Sequence, residues 1–146
     1  MYRNLTGRQP LIRVPAVTDA PYTYKPANLT VIAMADGHSE ARWAPSAEWA
    51  NPVGNVHGGY IAVLVDDVAG MALMSVIGSG APTVSLQVDY LNPMPMDRTY
   101  TARGDVVRAG KATAIVDVHV YDPDELLVAR GKCIFQLPSA WREERT

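Results

Sequence analysis

The run Gly58-Gly59-Tyr60-Ile61-Ala62-Val63-Leu64-Val65-Asp66-Asp67-Val68-Ala69-Gly70-Met71-Ala72-Leu73-Met74-Ser75-Val76 carries the strongest structural signal in the chain. It lacks proline, is rich in Ala, Leu, Met and Val, and predicts a helix from about Gly59 to Val76. Apolar side chains surround that helix on almost every side, so it needs covering all round rather than a place on a surface. Asp66 and Asp67 interrupt it, so it is not read as a membrane span and no membrane partner is expected. Gly78-Ser79-Gly80-Ala81-Pro82 stops it.

Working outward, everything else with a clear pattern is β. Upstream, Thr30–Ala35 and His38–Trp43 read as strands joined by Asp36-Gly37, a strong hairpin signal. Downstream, Thr83–Leu91 alternates, with Val84, Leu86, Val88 and Tyr90 on one face and Thr83, Ser85, Gln87 and Asp89 on the other. Tyr100–Arg108 and Ala112–Tyr121 form a hairpin through Ala109-Gly110, and Asp122-Pro123-Asp124 turns into a last strand, Leu126–Leu137. Two strands, one long apolar helix and four strands predict an α+β domain whose antiparallel sheet wraps the helix. The domain is expected over residues 29–138. Residues 1–28, broken by Pro10, Pro15, Pro21 and Pro26, read as an irregular arm, and 139–146 as a tail.

The composition agrees with one globular domain: 146 residues, 48 % apolar and 19 % charged. Thirteen basic against fifteen acidic residues, with no basic stripe, give no reason to expect a nucleic-acid partner. Cys133 has no second cysteine to pair with, and His38, His57 and His119 lack metal-ligand spacing. Cys133 is read as a packed thiol, and no metal is expected. The first residues are too polar for a signal peptide, so a cytoplasmic protein is expected.

The chemistry concentrates in Asn51-Pro52-Val53-Gly54-Asn55-Val56-His57-Gly58-Gly59 and in Asp66. Two glycines at a helix start leave backbone N–H groups unshielded, and the positive end of the helix dipole favours a developing oxyanion there. Asn51 and His57 bring an amide and an imidazole to the same loop. A carboxylate inside an apolar helix is costly unless paired or wet, which singles out Asp66. Asp67 lies about 100° further round the helix and faces different surroundings. Gly58 and Asp66 are about 12 Å apart along the axis, too far for both to act on one carbonyl within a chain. If they share a substrate, they come from two subunits of a twofold dimer with two equivalent sites.

The pattern Asn51-x5-His57-Gly58-Gly59-x6-Asp66, followed by Thr83-Val84-Ser85-Leu86-Gln87-Val88-Asp89-Tyr90-Leu91-Asn92-Pro93, resembles the hot-dog-fold acyl-CoA thioesterases of the phenylacetate-degradation type. The similarity spans about residues 29–138. It implies a five- or six-stranded antiparallel sheet around one central helix, dimers that pair into tetramers, and hydrolysis without a cofactor, coenzyme A being part of the substrate. Carried over by position, it makes the Gly58 N–H the oxyanion donor and Asp66 the general base or nucleophile. His57 and Asn51 then position the thioester and water, with Gly59 beside them. Thr83 is the expected hydroxyl partner, with Ser85, on the same face of its strand, a second choice. Arg108 and Lys111 of the Arg108-Ala109-Gly110-Lys111 hairpin are the candidate contacts for the CoA phosphates.

Two alternatives stand beside this reading. Asn51-Pro52 partly resembles the Asp-x-Asn-Pro-x-His pattern of hot-dog hydratases and dehydratases, but Trp49 stands where that Asp belongs and His57 comes six residues after Asn51. A non-catalytic acyl-CoA-binding module would keep the fold and lose the acid, whereas Asp66 is present.

Overall fold

Asp36 and Gly37 both take positive φ, 51° and 83°. That is the two-residue turn that suits the twist of a hairpin, and it fixes the register of β2 (Leu29–Ala35) on β3 (His38–Trp43). The computed structural model describes residues 22–24 and 28–143. Within them follow α1 (Gly58–Ile77), β4 (Thr83–Tyr90), β5 (Tyr100–Ala109), β6 (Thr113–Tyr121), β7 (Leu127–Gln136) and a short α2 (Ser139–Glu143). With β1 (Tyr22–Tyr24), the strands form one antiparallel sheet in the order β1-β2-β3-β5-β6-β7-β4.

The sheet thus has a seventh strand beyond the five or six expected. It is β1 (Tyr22–Tyr24), which pairs with Leu29–Val31. Part of the arm assigned to 1–28 is therefore sheet, since Tyr-Thr-Tyr is a good strand former between two prolines. Residues 1–21 and 25–27 lie outside the described residues. The tail from 139 also carries structure: in α2, Trp141 is buried and its Nε1–H donates to the Gly110 carbonyl at 3.0 Å. Residues 144–146 lie outside the described residues.

α1 lies across the inner face of the sheet, with ten of its twenty residues buried. Each large aliphatic side chain so covered contributes roughly 1.5–3 kcal/mol. Two strand glycines let it sit close. A Cβ on Gly104 of β5 would lie 3.0 Å from the Val68 carbonyl oxygen, and one on Gly131 of β7 would strike the Val65 side chain. Ser39 of β3 donates to that same Val68 carbonyl at 2.7 Å, in a fully buried bond. Gly78, at φ 71°, ends the helix in the left-handed conformation and donates its N–H to Met74.

The helix is covered unevenly. The interior strand β6 alternates buried and more exposed residues along its length, with Ala114, Val116, Val118 and Val120 inward. Strand β4, at the sheet edge, buries nothing fully, and Val84, Leu86 and Tyr90 are 57 %, 40 % and 55 % exposed. It meets α1 at Asp66 and at Gly58, and Val63, Asp66 and Asp67 of α1 are all at least partly exposed.

Candidate active site

The loop before α1 is built by Asn51. Its Oδ1 accepts from the N–H groups of Val53 (3.1 Å) and Asn55 (3.0 Å). Its own N–H donates to the Asn55 carbonyl (2.7 Å), and its carbonyl accepts from Gly54 (3.0 Å), which sits at φ 82°. Asn51 is thus a turn-forming residue whose carbonyl is occupied, leaving the Nδ2 amide as the group that can reach a ligand. The loop is tied down where Val56 N–H donates to the Met94 carbonyl and His57 N–H to the Trp49 carbonyl, both at 2.8 Å. Trp49 stacks between Trp43 of the core and Tyr60 of α1, with ring centroids 5.6 and 4.9 Å apart.

His57 caps the helix. Its Nδ1 accepts from the Gly59 N–H at 3.0 Å, so the proton of the neutral ring sits on Nε2, which is left as a donor. Of the two glycines, Gly59 is thereby engaged within the loop. The Gly58 N–H meets no acceptor among the described residues. The expected pair of free donors is one free donor, Gly58, beside one occupied donor, Gly59.

Asp66 meets the predicted hydroxyl: Thr83 Oγ1 donates to Asp66 Oδ1 at 2.8 Å. Ser85 does not join it. The register between β4 and β7 shifts between Thr83 and Ser85, so Thr83 stands opposite the inward Phe135 and Ser85 opposite Ile134 on the outer face. A bulge at Val84 cancels the alternation that placed both hydroxyls on one side. Asp67 has no hydrogen-bond partner among the described residues, and burial, with the adjacent Asp66 charge, pushes its carboxyl up to about 6. Cys133 is fully buried, and burial first, then the Asp66 and Asp117 charges, raise its thiol to about 12, the state of a packed rather than a nucleophilic cysteine.

Asp66 and Gly58 remain two turns apart on one helix, about 12 Å along its axis. Arg108 and Lys111 are exposed at the β5–β6 hairpin. That hairpin lies at the Thr83 end of the sheet, since Leu137 N–H donates to Ala112 and Gln136 N–H to Pro82. Arg142, whose Nε donates to the Leu137 carbonyl, is a third cation at this end. It escapes a sequence reading because α2 reaches the hairpin through a tertiary contact, Trp141 with Gly110, 31 residues apart. Tyr90 is a second residue the sequence does not single out: its hydroxyl donates to the Gly58 carbonyl at 2.8 Å. Among the described residues no three His, Cys, Asp or Glu side chains are grouped to hold a metal ion.

Residues 53–129 match the family model of the thioesterase superfamily. The chain belongs to that superfamily. It is 30 % identical over 110 residues to human acyl-coenzyme A thioesterase 13, covering 74 % of each chain. Over 110 residues it is 28 % identical to the Escherichia coli acyl-coenzyme A thioesterase PaaI, covering 74 % of this chain and 78 % of the relative. The crystal structure of smu.793 from Streptococcus mutans, bound to acetyl CoA, superposes with a TM-score of 0.73 at 26 % identity, covering 88 % of this chain and 94 % of that one. The seven-stranded sheet on one long helix is accordingly a hot-dog fold of the PaaI type, and the protein is a thioester hydrolase.

Proposed function

We propose that this thioester hydrolase acts on acyl-CoA substrates, releasing the free acid and coenzyme A at a site shared between two subunits. The observation that carries the reading is the split in the chemistry. One end of the open flank holds Asp66, oriented by Thr83, and the other holds the free Gly58 N–H, beyond its reach in the same chain. The free edge and exposed apolar face of β4 support a twofold partner running antiparallel, which would bring each Asp66 to the other subunit's Gly58. Relatives named as acyl-CoA thioesterases and a similar structure with acetyl CoA support the CoA thioester.

In this mechanism the thioester carbonyl oxygen accepts from the Gly58 N–H, aided by the dipole of α1, while His57 Nε2–H and the Asn51 amide hold the acyl group and water. Asp66 takes a proton from water, whose oxygen attacks the carbonyl carbon, and the tetrahedral oxyanion collapses by expelling the CoA thiolate, which then takes up a proton. Thr83, by donating to Oδ1, leaves Oδ2 as the basic oxygen. The thiolate leaves readily, so the step needs no metal and no cofactor beyond the CoA of the substrate. The position of Arg108, Lys111 and Arg142 at the Thr83 end of the sheet supports them as the cations that meet its phosphates.

The test is thiol release from a panel of acetyl-, hexanoyl-, palmitoyl- and benzoyl-CoA. Asp66→Ala is expected to lower kcat at least about 100-fold on every substrate turned over. Retention of full turnover by that variant would remove Asp66 from the mechanism.

A further inference from the structure

The free Gly58 N–H belongs to the His57–Gly58 peptide, whose carbonyl accepts from the Tyr60 and Ile61 N–H groups at 2.9 and 3.3 Å; the next peptide, Gly58–Gly59, depends on side chains. It opens a helix whose first two residues are glycines, and helix ends lack the reciprocal bonds that stiffen a helix interior. His57 secures Gly59 from one side. The other support comes from β4. Tyr90 Oη donates to the Gly58 carbonyl at 2.8 Å, and its ring lies so close that a Cβ on Gly58 would stand 3.1–3.3 Å from three ring and hydroxyl atoms. Position 58 is thus a glycine fitted against a tyrosine as well as an open donor.

We propose that Tyr90 is a positioning residue that holds the Gly58–Gly59 peptide and packs on the Gly58 Cα, and so sets the direction of the adjoining Gly58 N–H. This rests on the reading of Gly58 as oxyanion donor. Tyr90 does not act on the carbonyl of the substrate; it fixes the residue that does. The register of β4 puts Tyr90 opposite Ala129 on the inner face, the face from which Thr83, at the strand's other end, bonds Asp66. One strand therefore grips the helix at both reactive points, eight residues apart, and sets each of them. The same strand is one edge of the sheet, with Tyr90 itself 55 % exposed. A subunit seated on β4 would press on both grips at once, so assembly and oxyanion geometry are linked through this side chain.

The experiment compares full-length wild-type protein with Tyr90→Phe, which keeps the ring and removes the donor, on the CoA thioester turned over fastest. Expected is a fall in kcat of about 5- to 30-fold with KM within about twofold, because a misplaced donor costs rate rather than ground-state binding. Amide exchange of residues 58–61 should quicken in the variant while that of residues 68–76 does not change. Oligomeric mass and melting temperature should stay within error and about 2 °C. A kcat within twofold of wild type, a change confined to KM, or a loss of rate that follows dissociation of the oligomer would each overturn the proposal. Failure of the underlying reading looks different, since Asp66→Ala would then stay active or wild type would release no thiol, and the exchange readout would still report on the tether.

Discussion

Strands β4 and β6 look alike as sequence and differ as structure. Both alternate polar and apolar residues, and in β6 the alternation translates directly into a buried face and a wetter one. In β4 the apolar residues Val84, Leu86 and Tyr90 stay exposed, and the polar set is split between the two faces. The cause is position. β6 has a paired neighbour on each side and α1 beneath it, whereas β4 is paired only to β7 and overhangs the flank of the helix. An apolar face with nothing of its own chain to cover it is a request for a partner surface.

The largest effects should therefore come from placing one charge in each strand. Val116→Asp in β6 buries an unpaired carboxylate in a fully closed core and is expected to abolish folding, read as loss of the cooperative melting transition. Leu86→Asp in β4 should leave the fold intact, with a far-UV spectrum like wild type, while converting the proposed dimer to monomer and lowering thioester turnover at least about 100-fold. A monomeric Leu86→Asp protein with full activity would sever the link between the edge strand and the site.

The contrast also shows which parts of the structure were legible in the sequence. Long-period and short-period signals placed α1 and the main strands to within a residue or two, because each is decided by side chains within the element. The turn at Asp36-Gly37 was equally local. Face assignment in β4 was not, since one bulged residue at Val84 reverses every side chain before it. Asn51, His57 and Asp66 could be picked out by residue type and spacing, but their bonding could not: that Asn51 spends its carbonyl on its own loop, and that His57 takes up the Gly59 N–H, depends on loop conformation. Tyr90 was hidden altogether. Its contact with Gly58 spans 32 residues of sequence, and a tyrosine in a strand has many uses.

The bulge offers the next test. Thr83→Val removes the donor to Asp66 while keeping the shape and is expected to lower kcat about tenfold, the worth of one hydrogen bond to a charged group. Ser85→Ala, two residues on, should change kcat less than twofold, because Ser85 faces the outer side of the sheet. Were β4 an unbroken alternating strand, the two substitutions would act on one site together. Steady-state rates for both, at saturating substrate, separate these cases, and equal losses would mean that the register at Val84 is wrong.

The smallest expected effect concerns stability. The stretch of α1 beside β4 is where the helix tolerates carboxyls, and the two do not fare alike: Asp66 has Thr83, whereas Asp67 has no hydrogen-bond partner among the described residues and is pushed up from 3.8 to about 6 by burial and by Asp66. Between those two pH values the folded chain keeps a proton on Asp67 that the unfolded chain has lost. The folded state then binds more protons, so stability falls as pH rises through the window and the ionised carboxyl is a net cost above it. Asp67→Asn removes that cost. It should raise stability by about 1 kcal/mol at pH 8, less than the whole shift implies because the side chain is still part-exposed, and by next to nothing at pH 4. Denaturant titrations at the two pH values check this. A gain of equal size at both would assign the effect to packing rather than to charge, and a loss at pH 8 would mean that the ionised Asp67 is satisfied across the proposed subunit contact, as a carboxyl near an edge strand can be and one beneath β6 cannot.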